Sequence, residues 1–297
     1  MIDSVKILIA YDGSDCAQAA LDGLRSAGLP AKAEVKVVAV LETWFPPPSS
    51  WALLEGASKA SQELDTLALA QGAAVSLRSL FSGWELTAQE ETGSPASVLL
   101  KIADDWQPDL LVIGSHGRSA AGRLLLGSVS QKLVHEAHCS VRIARGSAEA
   151  ADTPARLLIA MDGSRGAMAA VDAVVARQWP AESQACIVNA TWSMPPITAG
   201  RMVAPITDWI AEENAQIKTA LEAATAKLQG VGLITSSVME EEEPKDLICK
   251  EAERWGADCI FIGARGMGAV ERLMIGSISS GVAARAHCSV EVVRTAK

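Results

Sequence analysis

Gly114-Ser115-His116-Gly117, nine further residues and then Gly127-Ser128 form one stretch of this chain, and Gly263-Ala264-Arg265-Gly266, nine residues and Gly276-Ser277 repeat it. Each copy follows an apolar run of strand character, 109–113 or 258–262, and precedes a segment that reads as a helix. A glycine-rich loop between a buried strand and a helix N-terminus gathers backbone N–H groups at the positive end of a helix dipole, which suits phosphate. Glycines that merely make tight turns would explain one copy. The repetition, with Asp-Gly-Ser at 12–14 and again at 162–164, argues for a site in each half.

Upstream, Val5-Lys6-Ile7-Leu8-Ile9-Ala10 is apolar, rich in branched residues and without helical period, so it reads as a buried strand. A helix is expected from Ser14 or Asp15, either of which can cap it, as far as Gly28-Leu29-Pro30. Then come a strand at 34–41, a proline loop at Phe45-Pro46-Pro47-Pro48, one long helix over 51–80 with a break near Gly72, and a strand at 84–91. Ser94-Pro95 opens another helix, strand four is 109–113, a helix begins at Ser128, and strand five is 140–144. Strands alternating with helices predict an open α/β sheet of parallel strands, and right-handed crossovers with a reversal of strand order after the first strand give the order 3-2-1-4-5. That order sets the ends of strands one and four side by side at the switch point, where ligands bind. Asp12 and the Gly114 loop should therefore face one cavity.

Small polar residues around 146–154 read as a linker, after which the pattern restarts with a strand at 156–160 and Met161-Asp162-Gly163-Ser164. A helix at 167–177, a strand at 185–190, a long helix over about 205–229 and a strand near 233–239 follow. The run Glu240-Glu241-Glu242-Glu243-Pro244 reads as a solvated turn, with metal binding as the minor alternative. Residues 103–145 laid over 252–294 without gaps agree at about 18 of 43 positions, so the chain is an internal duplication. Two tandem five-stranded domains are expected, 1–147 and 155–297, joined by 148–154.

Composition narrows the function. With 49% apolar and 21% charged residues, 297 residues suffice for two ordinary cores. A net charge of −9, with both halves acidic, argues against binding DNA, RNA or an anionic membrane. No apolar run approaches a membrane span, and residues 1–6 lack the pattern of a leader, so a cytoplasmic location is expected. Six scattered cysteines without a Cys-x-x-Cys pair read first as buried free thiols, with a disulfide or metal site as the alternative.

Neither loop carries the Gly-Lys-Ser/Thr of a P-loop, and a dinucleotide fingerprint would stand after strand one. Asp12-Gly13-Ser14 with Gly114-x-x-Gly117 and Gly127-Ser128 resembles the ATP-binding branch of the universal stress protein family, and the second half completes the pattern again. The resemblance implies a fold of the adenine-nucleotide hydrolase-like class, with ATP held between strands one and four. It places Asp12 and Asp162 near the adenosine or the metal-phosphate region, and backbone groups of Val40 and Ala190 at the adenine edge. It assigns Gly114, Gly117, Gly127 and Ser128, with Gly263, Gly266, Gly276 and Ser277, to ribose and phosphates. His116 gives way to Arg265 in the second loop, and an arginine there adds a phosphate contact.

The expected function is an ATP-binding regulatory protein of the stress response, with Mg²⁺ arriving on the nucleotide and slow or no hydrolysis. No catalytic residue is assigned, because neither loop supplies a positioned base. His116 reads as a loop residue, His138 and His287 as structural, and Ser14 and Ser164 as helix caps rather than nucleophiles. A weak ATPase or self-phosphorylating enzyme and a nucleotide-free scaffold remain as alternatives. Strand five of each half, 141–144 and 290–293, is an apolar sheet edge that invites pairing. The resemblance implies that such edges pair between domains, so the halves are expected to form an intramolecular pseudo-dimer, with homodimerisation of the whole chain left open.

Overall fold

The computed structural model describes residues 4–42, 66–117, 126–145, 153–191, 203–266 and 275–295, with the side chains of 203–211 and 213–214 left out. In the first half, β1 (Val5–Ala10), β2 (Ala33–Leu41), β3 (Trp84–Thr92), β4 (Leu110–Gly114) and β5 (Ser140–Ala144) alternate with α1 (Asp15–Asp22), α2 (Thr66–Leu80), α3 (Pro95–Trp106) and α4 (Ser128–Glu136). The second half repeats this with β6 (Arg156–Ala160), β7 (Gln184–Ala190), β8 (Ile234–Glu240), β9 (Cys259–Gly263) and β10 (Ser289–Val293). Its helices are α5 (Arg165–Val175), α6 (Val203–Gly230), α7 (Pro244–Trp255) and α8 (Ser277–Arg285).

Within each half the strands run parallel in the order 3-2-1-4-5, the order expected when the strand order reverses after the first strand. β5 pairs antiparallel with β10, so the two sheets fuse into one of ten strands, β3-β2-β1-β4-β5-β10-β9-β6-β7-β8. The apolar edges foreseen at 141–144 and 290–293 thus close on each other. One core, built on Leu111, Leu133, Val141 and Ile143 with Ile260, Val282, Val290 and Val292, runs under α3, α4, α7 and α8 across this seam. The opposite face carries two separate cores, one beneath α1 and α2 and one beneath α5 and α6.

Local chemistry explains most element boundaries. Ser14 and Ser164 cap α1 and α5, each hydroxyl accepting from the N–H three residues on, Ala17 at 3.2 Å and Ala167 at 3.1 Å. Helix α1 ends at Asp22, earlier than Gly28, because 3₁₀-type bonds such as Leu24 N–H to the Leu21 carbonyl take over. Gly72 does not break α2, in which Cβ-free space costs only propensity. The part of the long helix expected at 51–65 lies outside the described residues, as does the proline loop at 45–48. The glutamate run is more than a solvated turn. Glu243 caps α7 by accepting from the N–H groups of Lys245 (2.9 Å) and Asp246 (3.2 Å), while Lys250 pairs with Glu242 and Glu240. All six cysteines are free, three of them buried.

Candidate functional site

Each site begins with an aspartate at the end of a central strand. Asp12 follows β1 and Asp162 follows β6, and each Oδ1 accepts the N–H two residues on, from Ser14 (3.0 Å) or Ser164 (2.9 Å). This Asx turn fixes the carboxylate at the entrance to the helix that follows. The neighbouring strand, β4 or β9, delivers the glycine loop to the same place. A Cβ at Gly117 would stand 2.9 Å from Asp12 Oδ2, and one at Gly266 would collide with Asp162 Oδ2. The aspartate and the loop therefore share one crevice, some 100 residues apart in sequence.

The first glycine of each loop does a different job. A Cβ at Gly114 would lie 2.9 Å from the Cys16 carbonyl carbon, and one at Gly263 would overlap the backbone of Gly166. Glycine thus lets α1 and α5 start directly against the loops. The loops are then pinned twice. Gly127 N–H donates to the Ser115 carbonyl at 2.9 Å and Gly276 N–H to the Ala264 carbonyl at 2.7 Å. The buried hydroxyls of Ser130 and Ser279 donate to the carbonyls of Gly114 (2.8 Å) and Gly263 (2.7 Å). Sequence reasoning missed these two serines, although Gly-Ser-x-Ser recurs at 127–130 and 276–279.

Gly127 and Gly276 are the N-caps of α4 and α8 and have no side chain with which to satisfy the first turn. Ser128 and Ser277, the first residues of these helices, are exposed beside it. In the second half these features line a cavity of about 470 Å³, within the range of small-ligand pockets. Its apolar end is Val188, Ala190, Ile248 and Ile262, and its polar end is Asp162, Arg265, Gly266 and Ser277. Of the residues singled out beforehand in this half, Asp162, Ala190, Gly263, Arg265, Gly266, Gly276 and Ser277 all line it. In the first half Asp12, Gly114, Gly117, Gly127 and Ser128 gather in the matching arrangement, and Val40 is half-buried at the end of β2.

Asn189 also lines the cavity and was not foreseen, since the first half has Ala39 at that position. Its amide donates to the Met161 carbonyl at 2.7 Å and so ties β7 to the turn that carries Asp162.

His116 turns its Nδ1 to Ser115 Oγ at 3.1 Å, and its Nε2 is buried. Burial, helped by nearby Arg145, holds its pKa below the usual imidazole value. A neutral ring so placed is not a base poised over the crevice. One histidine does have an orienting acid: His138 Nδ1 lies 2.7 Å from Asp104 Oδ1. That pair precedes β5 and so stands at the opposite end of the strands from the loop. Among the described residues no three His, Cys, Asp or Glu side chains gather as a metal site, and no helix is long and apolar enough to cross a membrane.

Comparison with known proteins agrees with this architecture. The chain is 26% identical to a universal stress protein of Mycobacterium tuberculosis over 87% of this chain and 85% of the relative. A universal stress protein of Thermus aquaticus is 35% identical across 47% of this chain and 97% of its own length. The crystal structure of a universal stress protein from Archaeoglobus fulgidus superposes with a TM-score of 0.64 at 21% identity, covering 99% of both chains, a likeness of fold. The sequence model of the universal stress protein family matches twice, at residues 5–145 and 155–294, and the chain therefore belongs to that family, as a tandem of two such domains.

Proposed function

We propose that each half binds one adenine nucleotide, ATP with its Mg²⁺, and holds it without rapid turnover. The observation that carries this reading is the second-half cavity, apolar toward β7 and α7 and polar where Asp162 meets the loop between β9 and α8. An aromatic base suits the apolar end, with backbone groups at Ala190, and at Val40 in the first half, facing its edge. The phosphates suit the first turn of α8, where uncapped N–H groups, Ser277 and the helix dipole act together, with Arg265 adding charge. Mg²⁺ commonly binds through nucleotide phosphates and one or two carboxylates, and Asp12 and Asp162 are the carboxylates beside the loops. The metal would neutralise phosphate charge.

Slow or no turnover is the reading the described side chains support. Phosphoryl transfer needs a group that orients the attacking water, and the described residues of the loops offer backbone N–H groups, an arginine and a histidine whose ring nitrogens face inward. Such a protein acts in the stress response through its occupied state.

Titration calorimetry with Mg-ATP tests this. Two sites are expected in the intact chain, one in Gly117→Val or Gly266→Val, and none in the double variant, because each valine collides with the facing aspartate. Absence of binding, or binding unchanged in the double variant, would overturn the reading.

A further inference from the structure

The seam between the halves has an approximate two-fold axis, and residues near that axis meet their own counterparts. Across β5 and β10 the register sets Arg142 directly opposite Glu291, and these are equivalent positions in the duplicated sequence. Arg142 Nη1 reaches Glu291 Oε2 at 3.3 Å and Cys259 Sγ at 3.3 Å, with the two charged side chains 5% and 1% exposed. Arg177, just beyond α5, donates to the other carboxylate oxygen of Glu291. Its second nitrogen crosses the seam to the carbonyl of Ala27 at 3.0 Å, and Ala27 is the first-half counterpart of Arg177. The next pair behaves alike: Gln178 N–H donates to the carbonyl of its counterpart Gly28 at 3.1 Å.

These three positions differ between the halves, and each difference is complementary. Half one offers Arg142 with the small residues Ala27 and Gly28, whereas half two offers Glu291 with Arg177 and Gln178. A Cβ at Gly28 would lie 3.0 Å from both the Gln178 carbonyl and the Trp179 ring, so the small side has no room to grow. We propose that this set is a pairing code, by which each half accepts the other and rejects a copy of itself.

Two first halves meeting through β5 would bury arginine against arginine, with no acid among the residues facing them. Two second halves would bury glutamate against glutamate and bring two Arg177 side chains to the place that one occupies. The first pairing leaves buried like charges without a counter-ion, which is strongly unfavourable, and the second crowds two arginines into the room of one. Chains that exchange halves can then do so only as half one with half two, which keeps one loop of each kind in every pair.

The test uses the whole chain, in which single substitutions set like charges against each other at the seam. Glu291→Arg sets arginine against arginine, Arg142→Glu sets glutamate against glutamate, and the double variant restores opposite charges. Melting temperature and amide hydrogen exchange across 141–143 and 290–292 are the readouts. Each single variant is expected to melt about 10 °C lower and to lose protection at the seam before β1 or β6 does. The double variant should recover at least half of the loss, and recovery of folding counts equally if a single variant does not fold. Single variants that melt within about 2 °C of the parent, or a double variant as damaged as the sum of the singles, would overturn the code. None of this depends on the nucleotide.

Discussion

At their described residues the two glycine loops share a backbone and differ in the third side chain, His116 in one and Arg265 in the other. In the second half the loop itself holds Arg265, and Arg294, at the end of β10, is committed elsewhere. It donates across the seam to the last carbonyls of α4, Val134 at 2.8 Å and His135 at 3.4 Å, and to the Cys139 carbonyl at 3.3 Å. In the first half the loop holds neutral His116, and Arg145, the counterpart of Arg294, lies close enough to depress its pKa. The Arg145 guanidinium makes one long bond, 3.4 Å to the Ala284 carbonyl of α8, and its buried Nε and Nη1 have no partner among the described residues. Burial lowers the pKa of both arginines. Duplication thus preserved the features set by backbone, the cap glycines and pinned carbonyls, and let the side chains diverge. The cradle is common to both sites and the charge beside it is particular to each.

Exchanging the loop residues is the strongest way to break that comparison. Arg265→His should weaken Mg-ATP binding in the second half about 10-fold, the worth of one charge-assisted hydrogen bond, with a smaller effect on AMP. His116→Arg should strengthen the first half by less, because Arg145 repels a second cation there. Two-site calorimetry separates these effects, and equal affinities in the parent chain would remove the basis of the contrast.

A smaller effect sharpens the shared part. Ser279→Ala and Ser130→Ala each remove a buried bond to a loop carbonyl, and each should cost about 1 kcal/mol of stability in denaturant unfolding. Unequal losses would show that one loop is held by something other than its serine. The smallest effect concerns pH. Because the folded chain holds His116 below its ordinary pKa of 6.5, the unfolded chain binds more protons as pH falls through that value. Stability from this group is complete above pH 6.5 and declines below it, so His116→Gln should flatten the slope on the acid side. The second half has no histidine in its loop to contribute to that slope.

Most of the architecture could be read from short-range patterns. Asp-Gly-Ser at strand ends, Ser-Pro at the start of α3 and glycine loops after apolar runs are local signals, and alternation of elements implied the strand order. What escaped depended on partners distant in sequence. The early end of α1 reflects a run of turns that helical spacing through Leu24 conceals, and the capping role of Glu243 was hidden within a run of identical residues. The edges at β5 and β10 looked ready to pair, yet nothing local placed Arg142 opposite Glu291. That pairing appears only when the antiparallel register is known. Asn189 left no trace because its counterpart is alanine, so the repeat could not mark it.

The antiparallel seam also governs how the chain can be joined. Because β10 runs opposite to β5, the second half begins at the same end of the sheet at which the first half finishes. Between β5 and β6 lie two strands, so the join from Arg145 to Ala155 has to cross three inter-strand spacings, roughly 15 Å. A stretch of that length reaches about twice as far when extended. Had the halves met in parallel, the same stretch would also have had to travel the length of a strand, about 17 Å more. Shortening the join by two or three residues should leave the fold intact, and the order of the halves along the chain could be reversed through an equally short connection from β10 to β1.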